Sequence, residues 1–321
     1  MLLPSAQASA TFDSFQLDVK SGAVHRLTRG PGDDLSPDRT SAVYRTGGKL
    51  LVARLDGSDN RMIVNVPYQI PSVAWSPSGK LIAFEIEDST SCASEPSPCG
   101  RRAIWLVNVD GSGLREFADN ASDPAWSPDS RSLAFISHFV THTFTGNIAI
   151  ENVDGTGFRM LTAREEPEQL RWSPGGHWIS YAQVRRAGHR DVVRVIAVAR
   201  RRRTRTIGRG DFPFWLGGRV AFIRFVPTNR RALYVASIGA RPRRILTTDD
   251  IHAPSPSPDA RRIAYASGYS LVVVTDKGRS VRIVSLGRGV VFDTIFWSRD
   301  GESLFYTRMV NGCCARERRS R

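Results

Sequence analysis

Short runs of alternating apolar and polar residues follow one another along this chain, separated by tight turns, and one segment recurs. Its clearest copy runs from Trp75 to Phe84 and reads Trp-Ser-Pro-Ser-Gly-Lys-Leu-Ile-Ala-Phe. Copies of varying fidelity are anchored at positions 35, 75, 126, 172, 215, 256 and 297, which are 40 to 51 residues apart. A period near forty residues that is built from strands and turns is typical of propeller blades.

Each repeat predicts four strands. The first strand ends at the Trp, the Ser-Pro segment turns the chain, and a second strand follows, as in Leu81 to Ile86. After a variable loop, a third and a fourth strand are joined by a hairpin, clearest at the Asp-Gly pairs that begin at Asp56, Asp110 and Asp154. Asp-Gly is favoured in two-residue hairpin turns. Four antiparallel strands are the content of one propeller blade.

The two ends of the chain each supply half a repeat. Phe15 to Thr28 reads as a third strand, a hairpin and a fourth strand, whereas Thr294 to Tyr306 reads as a first and a second strand. Pairing these halves completes one blade and leaves no long sheet edge exposed. We therefore predict an all-β propeller of seven four-stranded antiparallel blades, closed by the two terminal halves. Six blades, with one half unpaired, is the alternative.

The predicted propeller is a single domain over residues 12–308. Residues 1–11 are expected to be a disordered tail or the remnant of a signal peptide, because Ala6 to Ala10 has the small residues of a cleavage site after a very short apolar segment. Residues 309–321 are expected to be a basic disordered tail. No apolar run is long enough to predict a transmembrane helix.

The net charge of +14 raises the question of an anionic partner. Its basic residues are 41 Arg and four Lys, a ratio typical of a GC-rich coding sequence. Arginine runs at positions 200–205 and 241–244 fall in hairpins, but no aromatic residues are interleaved with the first of them, as stacking on single strands would require. We do not expect nucleic acid as a partner.

Cys92 and Cys99 bracket a loop rich in Ser and Pro, and a disulfide between them would order that loop. Such a bond needs an oxidising compartment, which favours the cell envelope or secretion over the alternative, the cytoplasm. The cysteine spacing does not fit a zinc site, and no role is predicted for Cys313 or Cys314.

Strand order assigns the loops to two faces of the ring. The Trp-Ser-Pro turns and the Asp-Gly hairpins share one face, which we call the short-loop face. The second-to-third-strand loops and the connectors between blades share the other, the long-loop face. Its longest loops are expected at Glu87 to Arg102, Ser137 to Gly146, Arg185 to Arg190 and Phe225 to Arg231.

Long loops on a rigid scaffold are where binding residues tend to lie. His and carboxylate side chains of this face suit ligand binding or proton transfer, although they show no metal-ligand spacing. The candidate binding residues are Asp123, His138, His142, Glu168, His189, Asp211, Asp250 and His252. No catalytic or metal-ligating residue and no cofactor is predicted.

The Trp-Ser-Pro-Asp-Gly, Ile-Ala-Phe, Asp-Gly-Ser-Gly and Leu-Thr elements resemble the TolB-type propeller repeat over residues 12–308. The resemblance implies a bacterial propeller without the N-terminal α/β domain of TolB. Similar repeats occur in propellers attached to prolyl-oligopeptidase-like hydrolases, but this sequence has no Gly-x-Ser-x-Gly elbow.

The resemblance therefore favours a non-catalytic, monomeric scaffold that binds a protein or a cell-envelope polymer through the long-loop face. The alternative is a propeller lyase or hydrolase with its site in the central channel. That alternative requires His and carboxylate side chains within reach of one another.

Overall fold

The chain folds into a ring of seven four-stranded antiparallel blades in a computed structural model. The structure describes residues 11–29, 33–56, 58–88, 100–137, 146–163, 165–183, 192–199, 203–227, 230–285 and 290–310. The prediction of an all-β propeller with seven blades is confirmed.

Blades 1 to 6 each contain four strands that are consecutive in the chain, and strands are numbered in chain order. Blades 1 and 2 contain β3 (Asp34–Leu35), β4 (Ser41–Thr46), β5 (Lys49–Arg54), β6 (Arg61–Asn65), β7 (Val73–Trp75), β8 (Leu81–Asp88), β9 (Arg101–Asn108) and β10 (Arg115–Asp119). Blades 3 and 4 contain β11 (Ala121–Trp126), β12 (Ser132–Ser137), β13 (Asn147–Asn152), β14 (Arg159–Met160), β15 (Pro167–Trp172), β16 (Trp178–Gln183), β17 (Val192–Ala197) and β18 (Thr204–Arg209). Blades 5 and 6 contain β19 (Asp211–Leu216), β20 (Arg219–Val226), β21 (Arg230–Ala236), β22 (Arg243–Thr248), β23 (His252–Pro256), β24 (Arg262–Ser267), β25 (Ser270–Thr275) and β26 (Ser280–Ser285).

Blade 7 closes the ring with strands from both ends of the chain. It contains β27 (Val290–Trp297), β28 (Ser303–Val310), β1 (Thr11–Asp18) and β2 (Val24–Arg29). Strand β1 pairs antiparallel with β28 from Thr11 opposite Val310 to Asp18 opposite Ser303, and the sheet order is β2-β1-β28-β27. The two terminal half repeats therefore form one blade, as predicted, and the closure protects sheet edges that would otherwise be exposed.

The first strands of neighbouring blades lie next to one another around the axis of the ring, as β11 does beside β15. Buried apolar side chains fill the gaps between blades. The cluster between blades 6 and 7, for example, contains Leu271, Trp297 and Tyr306. The core is thus distributed among the blade interfaces, which is why every repeat needs its neighbours for stability.

In four blades, the repeated Trp is hydrogen-bonded to the preceding blade. The indole Nε1 of Trp126 donates a hydrogen bond to the Ala74 carbonyl at 3.0 Å, and Trp172 donates to Ala125 in the same way. The indoles of Trp215 and Trp297 make the same bond to the previous blade. At these four positions the Trp combines apolar packing with a satisfied polar group, whereas the buried Trp75 Nε1 has no hydrogen-bond partner among the described residues.

The Ser after the Trp holds the turn that follows it. The Ser127 Oγ accepts the backbone N–H of Ser132 at 2.9 Å and donates to the Asp129 carboxylate at 2.6 Å. The hydrogen bond from Ser127 is the main reason why the pKa of Asp129 lies below its usual value. The Ser-Pro-Asp string thus satisfies the polar groups of a tight turn by itself.

Candidate functional site at the central channel

A cavity of about 830 Å³ lies in the central channel. Its walls are the first strands of blades 1, 2, 3, 4, 6 and 7, together with Trp-Ser-Pro turns of the short-loop face. Apolar groups such as Val73, Trp126 and Ile295 cover part of the wall. A cavity of this size is in the range of small-molecule binding sites.

One position of the repeat gives this cavity its chemistry, namely the residue directly before the Trp anchor. Blades 2 and 3 have Ala74 and Ala125 there, which leave space. Blades 1, 4 and 7 have Asp34, Arg171 and Phe296 at the same position, and all three line the cavity. An acid, a base and an aromatic ring therefore surround the same space.

Asp34 is anchored to the channel wall by backbone donors. Its Oδ2 accepts the Trp75 N–H of the next blade at 2.8 Å, and its Oδ1 accepts the N–H of Leu35 at 2.8 Å. Desolvation raises the pKa of this carboxyl, and these hydrogen bonds, with the charges of Arg39 and Arg171, act in the opposite direction. Because Arg171 belongs to blade 4, its charge acts on Asp34 from another part of the ring.

Arg39, in the Ser-Pro turn of blade 1, lies beside Phe296 of the channel wall. Its guanidinium carbon lies 6.0 Å from the centre of the Phe296 ring. Burial lowers the pKa of this guanidinium, and the Asp34 carboxylate acts in the opposite direction. The Arg39 backbone has φ 62°, a left-handed conformation that costs a non-glycine residue about 1 kcal/mol. The same turn position is Gly79 in blade 2 and Gly176 in blade 4.

A second acidic group lies between blades 2 and 3. The Glu85 side chain is only 5% exposed, and its Oε1 is 3.4 Å from Nη1 of Arg102, an ion pair without hydrogen-bond geometry. Its Oε2 accepts the Ser72 hydroxyl at 3.1 Å and the Asp123 N–H at 3.3 Å. Desolvation raises the pKa of Glu85 despite these donors. This group joins two blades beside the channel.

Asp123, a residue predicted to bind a ligand, lines the cavity and also connects blades. Its Oδ2 accepts the Leu170 N–H of blade 4 at 2.8 Å. It lies in a bulge of β11 with φ 53°, and Gln169 occupies the corresponding bulge of β15 with φ 60°. Gln169 accepts the Phe212 N–H of blade 5 at 2.9 Å. These bulges turn a polar side chain toward the next blade.

The other predicted residues are distributed along the long-loop face. Glu168 is an exposed residue of β15, and Asp211 begins β19, where its Oδ1 accepts the Phe212 N–H at 2.8 Å. Asp250 and His252 are brought together, with 2.6 Å between the Asp250 Oδ2 and the His252 Nε2. Arg231 lies 3.4 Å from the other oxygen of Asp250. His138, His142, His189 and the proposed disulfide partners Cys92 and Cys99 lie outside the described residues.

Exposed aromatic side chains are a feature of this face that the sequence did not reveal. Phe212, Phe225 and Tyr269 are 42%, 51% and 49% exposed, and all three belong to blades 5 and 6. Arg231 lies over the Phe225 ring at 4.9 Å. The face thus combines aromatic groups with an arginine, which are residue types enriched in protein interfaces.

Comparison with known proteins supports the fold. No protein-family model matches the chain. Similar solved structures include a propeller assigned as a TolB from Agrobacterium tumefaciens, at 16% identity and a TM-score of 0.56, covering 94% of this chain and 99% of that one. TolB from Acinetobacter baumannii is also similar, at 16% identity and a TM-score of 0.51, over 94% of this chain and 64% of that one. The chain has a TolB-like propeller fold.

The TolB-like fold is shared with proteins of other names. An oligogalacturonate lyase from Vibrio parahaemolyticus is 12% identical with a TM-score of 0.61, over 92% of this chain and 82% of that one. An uncharacterized protein of Agrobacterium fabrum is 30% identical over 142 residues, 40% of this chain and 48% of that protein. The chain thus spans about half the length of the curated relative it matches. These similarities show the fold, and the function has to be argued from the residues of the site.

This TolB-like propeller shows no group of three or more His, Cys, Asp or Glu side chains arranged for a metal ion within the described ranges. Over the same residues, no helix of the length and apolarity needed to cross a membrane is found. Of the basic turns, Arg243 donates to the Asp276 carbonyl at 2.9 Å, and residues 200–202 lie outside the described part of the chain.

Sequence reasoning missed Arg39, Asp34, Arg171 and Phe296. A comparison of the repeats at the position before the Trp anchor would have found three of them, because charged or aromatic residues replace alanine there. Arg39 would have been found as the arginine that occupies a turn position where blades 2 and 4 have glycine. Both signals are departures from the repeat, whereas the fold was predicted from the residues that recur in it.

Proposed function

We propose that this TolB-like propeller is a protein-binding scaffold of the cell envelope that binds a partner through its long-loop face. The observation that carries the proposal is the set of exposed aromatic side chains Phe212, Phe225 and Tyr269 on that face. Aromatic and arginine side chains supply most of the binding energy in many protein interfaces. The proposal includes location in the envelope or outside the cell, as the TolB-like fold suggests.

The shape of this surface also supports a protein partner. Phe212 lies in the bulge of the first strand of blade 5, beside the channel, whereas Phe225 and Tyr269 lie in or next to second-to-third-strand connections. The three rings therefore extend from the channel mouth toward the rim. Arg231 is held in place by the Ile251 carbonyl at 2.8 Å, so that its stacking on Phe225 is preorganised.

Site-specific photo-crosslinking in the cells that produce the protein tests the proposal. A photoreactive phenylalanine analogue placed at Tyr269 or Phe225 is expected to crosslink one defined protein. The matched control is Phe158, which is 50% exposed but belongs to the third-to-fourth-strand hairpin of blade 3 on the short-loop face. Equal crosslinking from both faces, or none from the long-loop face, would refute the proposal.

A binding measurement with the crosslinked partner then gives the energetic test. Phe225→Ala and Phe212→Ala are each expected to weaken binding by more than about 1 kcal/mol, as interface aromatic residues do. Phe158→Ala is expected to leave the affinity unchanged. Shortening the loops at 87–102 and 137–146 is a separate test of whether those loops take part.

The second candidate function is a lyase or hydrolase, and the contact between Asp250 and His252 is the observation that favours it. A carboxylate in contact with an imidazole orients a proton-transferring group. Because one structural neighbour is an oligogalacturonate lyase, incubation with oligogalacturonate and detection of unsaturated products by ultraviolet absorbance is the direct test. Product formed by the wild-type protein and lost in His252→Ala would support this candidate, and absence of product would refute it for this substrate.

A further inference from the structure

Two arginines at the short-loop half of the channel have donors that the fold does not use: Arg171 lines the cavity, and Arg39 lies beside the wall residue Phe296. The Arg39 guanidinium makes no hydrogen bond to any residue in the described ranges, and its only ring contact there is Phe296. The Arg171 Nη1 donates to the Leu170 carbonyl at 2.7 Å, and the other donors of this guanidinium have no partner in the same part of the chain. Both side chains are close enough to influence the Asp34 carboxyl.

The nearby acids do not use these donors either. Each oxygen of Asp34 already accepts a backbone N–H, and the Asp33 carboxylate is paired with Arg45 at 2.8 Å. A guanidinium presents five donors in a fork that matches a carboxylate. The channel therefore contains unused donors of the kind that recognise an oxyanion.

The turn that contains Arg39 has the same left-handed backbone conformation as the corresponding turns of other blades. In the turns of blades 2, 4 and 7, the same position is glycine, with φ between 72° and 75°. Blade 1 adopts the same conformation with an arginine at φ 62°. Ser130 of blade 3 and Ala260 of blade 6 have φ 61° and 56° at this position, so the strain is common to these turns and the charged side chain is what distinguishes blade 1.

We propose that Arg39 and Arg171 bind the carboxylate of a ligand whose apolar body lies against Phe296 in the 830 Å³ channel cavity. The apolar wall, which includes Val73, Trp172 and Ile295, surrounds the ligand body. A singly charged carboxylate suits the site better than a doubly charged phosphate, because Asp34 and Asp123 also line the cavity and repel added negative charge. This site is separate from the aromatic surface of the long-loop face and does not depend on it.

The test uses 3-phenylpropionate as the probe, because it combines one carboxylate with a short apolar stem and a ring. Binding to the full chain is followed by calorimetry and by tryptophan fluorescence, since Trp126 and Trp172 line the cavity. We expect saturable binding of the acid. The uncharged 3-phenylpropionamide is expected to bind at least about tenfold more weakly, in line with the strength of hydrogen bonds to charged groups. Phenethyl phosphate is the phosphate arm and is also expected to bind more weakly.

Two variants assign the binding to the named residues. Arg171→Gln and Arg39→Gly are each expected to weaken binding of the acid at least about tenfold, while binding of the amide stays the same. Arg39→Gly introduces the residue that blades 2, 4 and 7 have at this position, so its unfolding midpoint is expected to equal or exceed that of the wild type. Arg171→Lys, which keeps the charge and loses the fork, is the second variant at that position.

The matched control is Arg131→Gln, an exposed arginine in the Ser-Pro turn of blade 3, and it is expected to leave binding unchanged. Equal binding of acid and amide, or no binding of the acid by the wild type, would overturn the proposal. Tighter binding of the phosphate would overturn the assignment to a carboxylate. None of these results bears on the long-loop face, because the aromatic residues there are intact in every variant.

Discussion

Two adjacent positions of the repeat have opposite roles. At the Trp position, Trp126, Trp172 and Trp297 do the same work, since each is packed between blades and each donates to the previous blade at 3.0 Å. One residue earlier, Arg171 and Phe296 differ from each other in chemistry although both line the channel. Identity between repeats thus marks the scaffold, and difference between repeats marks the candidate site.

Aspartates show the same contrast. In the Ser-Pro-Asp turns, the Ser hydroxyl is the main cause of the lowered pKa of Asp38, Asp129 and Asp300. In the channel, desolvation raises the pKa of Asp34. The turn aspartates are therefore stabilised as anions by local donors, whereas the channel aspartate is desolvated at a cost that the N–H groups of Trp75 and Leu35 and the nearby arginines only partly offset.

The largest expected effect comes from comparing substitutions at two neighbouring residues, one packed between blades and one on the channel wall. Trp297 is 1% exposed, so Trp297→Ala is expected to lower the free energy of unfolding by about 3 to 5 kcal/mol. The matched control is Phe296→Ala, one residue earlier on the channel wall, with an expected loss below about 1.5 kcal/mol because the ring is only partly buried. Urea denaturation measures both. Equal losses would mean that Phe296 on the channel wall contributes as much to stability as Trp297 does between the blades.

Asp123 tests whether a residue of the channel also holds blades together. Asp123→Ala removes the acceptor of the Leu170 N–H and places alanine at φ 53°, so a loss of about 2 kcal/mol in the free energy of unfolding is expected. Asp123→Asn retains an acceptor and tolerates the left-handed backbone, so its expected loss is below about 1 kcal/mol. If alanine and asparagine destabilise the protein equally, the loss of stability does not come from the hydrogen bond between Leu170 and Asp123.

Ser127 tests the turn itself. Ser127→Ala removes the acceptor of the Ser132 N–H and the donor to Asp129, and we expect a loss of about 1 to 2 kcal/mol in the free energy of unfolding. Arg131→Ala in the same turn is the control, because Arg131 is exposed and its backbone N–H keeps its hydrogen bond to Asp129 in the variant. A loss in the control as large as that in Ser127→Ala would contradict the role given to the Ser127 hydroxyl.

The pH dependence of two variants is expected to have opposite signs. The folded-state pKa of Asp129 lies below 3.8, so the stabilisation it gives is present above about pH 4 and is lost as the pH falls through that pKa. The loss caused by Ser127→Ala should therefore grow as the pH rises from the folded-state pKa of Asp129 toward about 4 and stay constant above that. The folded-state pKa of Asp34 lies above 3.8, so its contribution is most favourable below 3.8 and is lost as the pH rises through that pKa.

Asp34→Asn, which mimics the protonated carboxyl, is accordingly expected to destabilise the protein more at acidic than at neutral pH. Urea midpoints of wild type and both variants between pH 3 and pH 7 measure the two slopes. If the effects of the two variants on the urea midpoint change with pH in the same direction, the aspartates of the turn and of the channel do not have pKa shifts of opposite sign.

The scaffold could be predicted from the sequence because the same pattern of strands and turns recurs seven times. The Trp-Ser-Pro anchors gave the blades, and the two terminal half repeats gave the closure of β1 on β28. The site could not be predicted to the same depth. The approach of Arg39 to Phe296 joins the turn of blade 1 to the first strand of blade 7, and no sequence spacing reports a contact between two blades that become neighbours only when the ring closes.

Contact within one connector was easier to anticipate. Asp250 and His252 were both predicted residues, and they lie in contact because they are two positions apart at the start of β23. Asp123 was predicted for its carboxylate, but its bond to Leu170 depends on a bulge in β11. A bulge changes the direction of a side chain without a sequence signal as clear as the Trp-Ser-Pro string.

The smallest expected effect has the opposite sign to the others. Arg39→Gly relieves the left-handed strain at φ 62°, which favours the variant, but it removes a positive charge that acts on Asp34. We expect a net change of at most about 1 kcal/mol in the free energy of unfolding, with a gain at low pH, where Asp34 is protonated and needs no counter-charge. Thermal unfolding at pH 3 and pH 7 measures it. Ala260→Gly is the control, because its φ of 56° at the same turn position carries the same strain and its side chain has neither a charge nor a hydrogen bond. A large loss for Arg39→Gly at both pH values would make Arg39 part of the scaffold and remove the contrast between the two regions.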